Sequence, residues 1–495
     1  MIEFFKKLKN KNYYFLILFF GVIVFLNYYS ILFLKPRSFH FIRQTDSLSF
    51  ISYYLKTGLN FFNIGNLNLY NGTGKTICEF PILYYLTAIV SKLGIEGFIV
   101  LKIFHIIIFF FTSYSMFCFL IKKFTFLNSI SLTFLTFSST IILYYAINFI
   151  PNFPALCFTF LGLIRFMKYL ESDNTNFIKI SISYFLIAGL LKITFAIYPI
   201  AIFFFLLIRY LNTKRHDFSI YMMFFFLFII LLIWNCFVIY YNNMHHADYY
   251  LTGIKPIWKM SNSEIKEVFQ FITKYWSYKY YYQTTIHLFL IVTIVSSIFY
   301  SKYKVQEIII SLLFICGSIC YFVLFFSQFK DHDYYFMEFV PTFFYIFISS
   351  FAVVSTGLPK NVNWILTSIV LLITVLSLNY AKLNIQRRYS TPFEQVAKIS
   401  YILEDIESKM DSINVPTNAK ILVVPDYTMN GSLFLANRFG YTIGDTVNPF
   451  LNEYFKKSDY LLVTDPEYLE FLKLKIRLNK PILNYRGSEL FLISK

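Results

Sequence analysis

What most constrains this chain is a succession of apolar runs of about twenty residues, each long enough to cross the hydrocarbon core of a bilayer as a helix. They fall at 13–34, 97–121, 126–147, 151–168, 177–193, 195–211, 218–241, 285–301, 305–326, 336–357 and 363–381. Hydrophobic residues make up 57% of the 495 positions and aromatic residues 22%, more than a soluble protein of this length needs for its core. The expected class is an α-helical polytopic membrane protein with about eleven transmembrane helices. The first run is too long for the apolar segment of a signal peptide and has no small-residue cleavage site, so it reads as a retained span.

The basic residues order these spans. Lys6, Lys7, Lys9 and Lys11 precede the first run. Every second connection then repeats the signal: Lys122 and Lys123; Arg165, Lys168 and Lys179; Arg209, Lys214 and Arg215; Lys302 and Lys304; Lys360. Short cytoplasmic loops carry such an excess, so the N-terminus is expected inside. An odd number of spans then puts four segments on the outer face: the loop at 36–96, the loop at 242–284, the short "QFKDHDYY" connection and the C-terminal tail. The formal net charge of +17 is explained by this alternation. No basic face suited to nucleic acid is expected. The six cysteines lie mostly in apolar runs without a CxxC pair, which points to neither a disulfide framework nor a zinc site.

The tail is different material. From about 382 to 495 it alternates strand-like runs, "AKILVVPD" and "DYLLVTD", with helix-like ones, "GSLFLANRFG" and "EYLEFLKLK". It reads as a small extracytoplasmic α/β domain that follows the membrane region 1–381 through the linker "RRYSTPFEQ". Asp426 and Asp465 end its predicted strands, where ligands bind in open α/β sheets, but a turn carboxylate is the favoured reading. "NGTGKT" has Leu69 where a phosphate-binding loop needs a further glycine, and it reads as a turn in the first outer loop. His245 and His246 are adjacent, so they point apart and belong to a surface loop. Asn71-Gly-Thr73 and Asn430-Gly-Ser432 match the glycosylation pattern, which is short enough to occur by chance.

The informative polar residues gather in the outer segments. As a helix, "FIRQTDSLSF" places Arg43, Asp46, Ser49 and Tyr53 along one polar stripe, with Phe41, Leu48, Ile51 and Leu55 on the other sides. Such a helix is expected at the membrane surface with its stripe facing a cavity. Further along, Glu79 is followed by Pro81, which can open an amphipathic helix of about ten residues, too short to span. Lys192, in "GLLKITF" near the outer end of a span, is read either as a functional cation or as a snorkelling side chain. Lys102 and His105, one turn apart, read as an interfacial pair. "KDHDYYFMEFVP" packs Asp331, His332 and Asp333 against Tyr334 and Tyr335.

In chain order, "RQTD", "EFP", "YYAINFIPNFPAL", "GLLKITF" and "HDYYFMEFVP" resemble the bacterial GT-C glycosyltransferases, similar to protein O-mannosyltransferases and the aminoarabinose transferase of lipid A. The resemblance covers the membrane region and is weak in the tail. It implies an enzyme that moves a sugar from a polyprenyl phosphate in the membrane lipid to a glycan, lipid or protein acceptor at the outer face of a bacterial plasma membrane. Asp46 matches the catalytic base of the first loop, and His332, Tyr334 and Tyr335 match residues near the lipid phosphate. The family often has Pro-Asp where this chain has Pro151-Asn152, which removes one carboxylate.

The chemistry requires one carboxylate to take the acceptor proton and cations to meet the phosphate charge that develops. Asp46 supplies the first, with Glu79 as a second acid, and Arg43, Lys192 and His332 supply the cations. Direct displacement implies inversion at the anomeric carbon. Gln44, Asn152 and Asp333 are sugar or acceptor candidates; no cofactor or metal is called for. A transporter or flippase of lipid-linked saccharides would instead place polar groups near the bilayer centre and broken segments in two matching halves. A polysaccharide polymerase or ligase would be expected to use Arg and His without the first-loop carboxylate.

Overall fold

The computed structural model describes residues 2–37, 39–213, 217–250, 254–390, 395–445 and 447–493. Lys214 and Arg215, from the basic clusters, and positions 391–394 of the linker lie outside the described residues. Each of the eleven apolar runs carries helix. Among the described residues, seven helices are long and apolar enough to cross a membrane: Gly97–Leu120, Asn152–Ser172, Ile193–Asn212, Phe218–Met244, Val305–Leu324, Asp333–Gly357 and Asn361–Ser390. The remaining runs hold shorter apolar helices, Lys11–Phe25, Phe126–Phe137, Thr175–Leu191 and Gln283–Ile298.

Local chemistry explains the shortening. The run at 126–147 is cut at Ser138 and Ser139: the Ser138 hydroxyl turns back onto the Leu135 carbonyl, and extended Ser139 precedes a new helix, Thr140–Tyr145. Lys192, also extended, ends Thr175–Leu191 before the next span begins. Phe225, Phe226, Leu232 and Ile233 of the helix Phe218–Met244 are each more than half exposed. So continuous an apolar belt is tolerated against lipid, not water, and the chain is an integral membrane protein. Inside the bundle, Asn152–Ser172 and Thr175–Leu191 pack closely at Gly162, whose carbonyl accepts the Ser181 hydroxyl at 2.7 Å.

The tail forms a five-stranded sheet: β1 (Ile421–Val424), β2 (Gly440–Thr442), β3 (Tyr460–Val463), β4 (Leu483–Tyr485) and β5 (Ser488–Leu492). Its order is β2-β1-β3-β5-β4, with the first three strands parallel and the last two antiparallel additions. The membrane helix before it continues to Ser390. Gly440 is required where it stands, because a Cβ there would lie 1.8 Å from the Ile421 carbonyl oxygen. This close edge receives the loop at 36–96: Leu69 N donates to Gly440 O at 2.8 Å, and Gly440 N donates to Leu67 O at 3.2 Å. Asp426 and Asp465 behave as turn carboxylates. Asp426 accepts from Thr428 N at 2.7 Å and Ser432 N at 3.3 Å, and Asp465 accepts from Glu467 N at 3.0 Å.

The loop at 36–96 contains the two expected helices, Phe41–Thr57 and Ile82–Ser91. The longer one starts after His40 in the left-handed region and stops at Gly58, with φ of 103°. It does not lie on a surface. Phe41, Leu48, Ile51, Tyr53 and Tyr54 are all buried, because the tail helix Gly431–Ala436 packs across it close enough that a Cβ on Gly431 would meet the Phe41 ring at 2.6 Å. Lys102 is likewise buried: its ammonium donates to the carbonyls of Ile31 at 2.7 Å and Leu34 at 2.5 Å, stitching the first span to the loop that follows.

Candidate functional site

Asp46 sits where three separate segments meet. Its Oδ1 accepts from Asn430 Nδ2 of the tail at 2.7 Å, and its Oδ2 accepts from Tyr249 OH of the second large loop at 3.3 Å. The carboxyl is 3% exposed. Burial pushes its pKa up to about 6; the Asn430 hydrogen bond, nearby Arg43 and Tyr249 hold back part of that rise. Among the described residues it makes no salt bridge.

Arg43, one turn earlier on the same helix, is committed to Glu79. Its Nη2 reaches both carboxylate oxygens, at 2.7 and 2.8 Å, and Tyr84 OH adds a third contact to Glu79 at 2.5 Å. Burial alone would raise the Glu79 pKa, but the Arg43 charge and the hydrogen bonds from Cys78 and Tyr84 outweigh it and hold the group below its ordinary value. Glu79 is thus the counter-ion of Arg43, a poor proton acceptor. Arg43 Nη1 is buried and has no hydrogen-bond partner among the described residues.

Lys192 is close enough to Arg43 for mutual repulsion, and its ammonium rests 5.3 Å from the centre of the Tyr335 ring. His332 stacks on His40, with centroids 5.8 Å apart and planes 6° apart, and edges onto Tyr334 at 5.3 Å. Burial and the neighbouring His40 depress the His332 pKa to about 3. Both effects favour the neutral ring, which meets an anion as a hydrogen-bonding group. Arg43, Lys192, His332, Tyr334 and Tyr335 do come together, from three distant parts of the chain.

Two of the sugar or acceptor candidates are buried and hold internal hydrogen bonds, although Gln44 Oε1 has no partner among the described residues. Gln44 is wholly buried and donates to Phe39 O at 2.7 Å and Tyr144 OH at 3.1 Å, bracing the turn before its own helix. Asp333 is also wholly buried: Arg388 Nη2 donates to Oδ2 at 2.6 Å, while Tyr145 OH at 3.0 Å and His40 Nε2 at 3.2 Å face Oδ1. Both oxygens are spent on internal bracing. Asn152 is buried too, and donates to Glu338 Oε1 at 3.0 Å.

Glu338 is the residue the sequence reading missed. Thr194 also donates to its Oε1, at 2.7 Å, and its Oε2 is buried with no partner among the described residues. The available signal was a carboxylate inside an apolar run, which a membrane protein keeps only with a partner or a task. Asn430, Tyr249 and Arg388 were missed as well. Nothing local marks them, since each acquires its partner only in the folded chain. Among the described residues, no group of three or more His, Cys, Asp or Glu is placed to hold a metal ion.

Beside this cluster lies an apolar groove of about 520 Å³ between the helices Val305–Leu324 and Val340–Gly357, lined by residues that include Ile319, Phe322, Phe329, Phe336, Phe339 and Phe343. Tyr335 connects the two regions, its ring 6.0 Å from Phe329 on one side and under Lys192 on the other.

No family model and no curated protein sequence matches the chain. Among solved structures, apo ArnT from Cupriavidus metallidurans aligns with a TM-score of 0.61 at 10% identity, over 97% of this chain and 98% of that one. The chain has the fold of ArnT. The same protein bound to undecaprenyl phosphate aligns with a TM-score of 0.60 at 11% identity over the same shares. An oligosaccharyltransferase from Archaeoglobus fulgidus, tethered with an acceptor peptide, reaches 0.49 at 11% identity, over 90% of this chain and 68% of that one. The likeness to ArnT is thus one of fold, and it covers nearly the whole chain.

Proposed function

We propose that this chain is a membrane glycosyltransferase that moves a sugar from a polyprenyl-phosphate donor to an acceptor at the outer face, with Asp46 as general base. The fold shared with ArnT, one structure of which holds undecaprenyl phosphate, supports a donor of that class. The prenyl chain lies in the apolar groove of Phe322, Phe329 and Phe339, and the phosphate sits above Tyr335 between Lys192 and Arg43. A phosphate oxygen there satisfies Arg43 Nη1, a buried donor otherwise without a partner. Neutral His332 and the Tyr334 hydroxyl complete the cradle.

The acceptor oxygen attacks the anomeric carbon as the bond from that carbon to the phosphate oxygen breaks. The phosphate leaves with the electron pair, stabilised by Lys192 and Arg43, and the acceptor proton passes to Asp46. One displacement inverts the anomeric configuration.

The observation that carries this reading is the division of labour among the buried carboxylates. Glu79 is tied to Arg43 and Asp333 to Arg388, while Asp46 has no salt bridge among the described residues and a pKa near that of a working base. Glu338 has no salt bridge among them either, but it is held by Asn152 and Thr194, whereas Asp46 is held by Asn430 of the tail and Tyr249 of the second large loop. The test is transfer from a synthetic polyprenyl-phosphate sugar by purified enzyme in proteoliposomes. Transfer by the native chain and a loss of about a hundredfold or more in Asp46→Asn is expected; equal rates would remove Asp46 from the chemistry.

A further inference from the structure

The tail and the outer loops enclose a second groove of about 370 Å³, joined to Asp46 through Tyr249 and within the about 300–1,000 Å³ of small-molecule sites. Its composition is unlike the rest of the molecule. In a chain of net charge +17, none of its lining residues is Lys, Arg or His, while Asp248 and Asp426 both contribute. Flat aromatic faces line it. Tyr427 is 66% exposed and Phe450 50% exposed, and Phe450 stacks on Tyr454 at 5.7 Å, which stacks in turn on Tyr441 at 4.3 Å.

The Tyr427 ring, though exposed, is seated. It lies against Gly444 so closely that a Cβ there would meet its Cδ1 at 2.5 Å. Asn68, Thr442 and Asn448 also line it. Asn68 and Thr442 are hydrogen-bonded to each other and to the Met429 carbonyl, which fixes the wall. Asn448 accepts from Phe450 N through Oδ1, and its amide nitrogen, like the exposed Asp248 carboxylate, remains to meet a ligand hydroxyl. Tyr249 belongs both to this groove and to the shell of Asp46, to which it donates at 3.3 Å, and Thr428 and Met429 lead directly into Asn430.

We propose that this groove binds the acceptor and that the acceptor is an uncharged saccharide; the inference rests on the glycosyl-transfer reading above. Pyranose rings present apolar C–H faces that stack on aromatic side chains and a rim of hydroxyls that need amide, hydroxyl and carboxylate partners. The groove offers that alternation. The absence of cations among its lining residues, with two aspartates present, disfavours phosphorylated or sulfated glycans. An extended peptide would dock here by adding a strand to the sheet edge that borders the groove, β2, but that edge is already paired at Gly440 with Leu67 and Leu69. The saccharide hydroxyl enters beside Tyr249, gives its proton to Asp46 and bonds through its oxygen to the donor's anomeric carbon as phosphate departs.

The test uses the full chain in nanodiscs and saturation-transfer NMR with mannotriose, maltotriose and chitotriose as uncharged probes, a heparin tetrasaccharide as the anionic probe and Gly-Ser-Gly as the peptide probe. Saturation of at least one uncharged trisaccharide is expected, reduced fivefold or more in Tyr427→Ala and in Phe450→Ala, both exposed positions, and retained in Asp46→Asn. No signal from any uncharged probe, a signal indifferent to both alanine variants, or a stronger signal from the heparin or peptide probe would overturn the proposal. A trisaccharide that occupies the groove in wild type but receives no sugar when donor is added sinks the transferase reading and leaves the saccharide site standing.

Discussion

Replacing Asp46 by asparagine separates what this carboxylate does for transfer from what it costs the fold. In the folded protein its pKa is about 6, against an ordinary value of 3.8. A difference of about 2 units corresponds to about 3 kcal/mol at about 1.4 kcal/mol per unit. The sign follows from proton binding. Between pH 4 and 6 the folded chain keeps a proton that the unfolded chain has released, so stability falls as pH rises through this window and is level above it. Asparagine has the same shape and can still accept from Asn430, but it does not titrate. Relative to wild type, the variant is therefore expected to gain up to about 3 kcal/mol between pH 4 and pH 7, offset by a constant that covers the altered Tyr249 contact. Thermal melts of both proteins in one detergent across this range read the changing difference, while the liposome assay reads the loss of transfer. A melting difference that stays constant from pH 4 to 7 would refute the claim that burial strains the Asp46 charge, whatever the kinetics show.

The native enzyme should show transfer that rises with pH through about 6, as Asp46 loses its proton, and Asn430→Ala should move that limb upward, because a hydrogen bond favouring the ionised form is gone; a pH–rate profile with an unmoved limb argues against Asn430 as a positioning residue. Lys192→Ala should raise the half-saturating donor concentration about tenfold or more with a smaller effect in Lys192→Arg, measured by donor titration at saturating acceptor. Arg388→Ala should cost about 3–5 kcal/mol, since it strands the buried Asp333 charge, and pairing it with Asp333→Asn should recover much of that, as read by detergent melts.

The parts of this molecule that were legible from the sequence are those whose cause is local. Hydropathy located all eleven helical runs, Pro81 marked the start of Ile82–Ser91, and the alternation around "AKILVVPD" and "DYLLVTD" located β1 and β3. The break at Ser138 was missed because two serines barely lower the apolarity of a run, yet the Ser138 hydroxyl competes for the backbone. In the site, Asp46, Arg43 and Lys192 could be singled out as charges beside apolar runs. Their partners could not, since Asn430 is 384 positions from Asp46 and Tyr249 is 203 away. The internal hydrogen bonds of Gln44 and Asp333 were hidden for a related reason. A polar residue near an outer rim looks the same in sequence whether it faces a ligand or braces the wall behind one, and only the count of its filled hydrogen bonds distinguishes the two.

Asn152 illustrates how such accounting changes a functional argument. Compared with the Pro-Asp of the GT-C enzymes it resembles, Pro151-Asn152 lacks a carboxylate, and on sequence alone the site is one negative charge short. In the fold, Asn152 spends its amide on Glu338, whose Oε1 is shared with Thr194 and whose backbone carbonyl takes the Tyr198 hydroxyl at 2.5 Å. A carboxylate therefore does stand at this position, delivered from another helix and held by an amide in place of being carried by residue 152 itself. It lies within electrostatic reach of Lys192. Lys192 thus has the Glu338 carboxyl, as well as Glu79, within electrostatic reach when the donor is absent and, under the proposed reading, exchanges part of that interaction for the donor phosphate. Glu338→Gln should then leave Lys192 in a more positive surrounding and tighten donor binding, with slower product release. A weaker donor affinity in Glu338→Gln would mean instead that Glu338 positions Lys192, and the exchange of counter-ions would have to be abandoned.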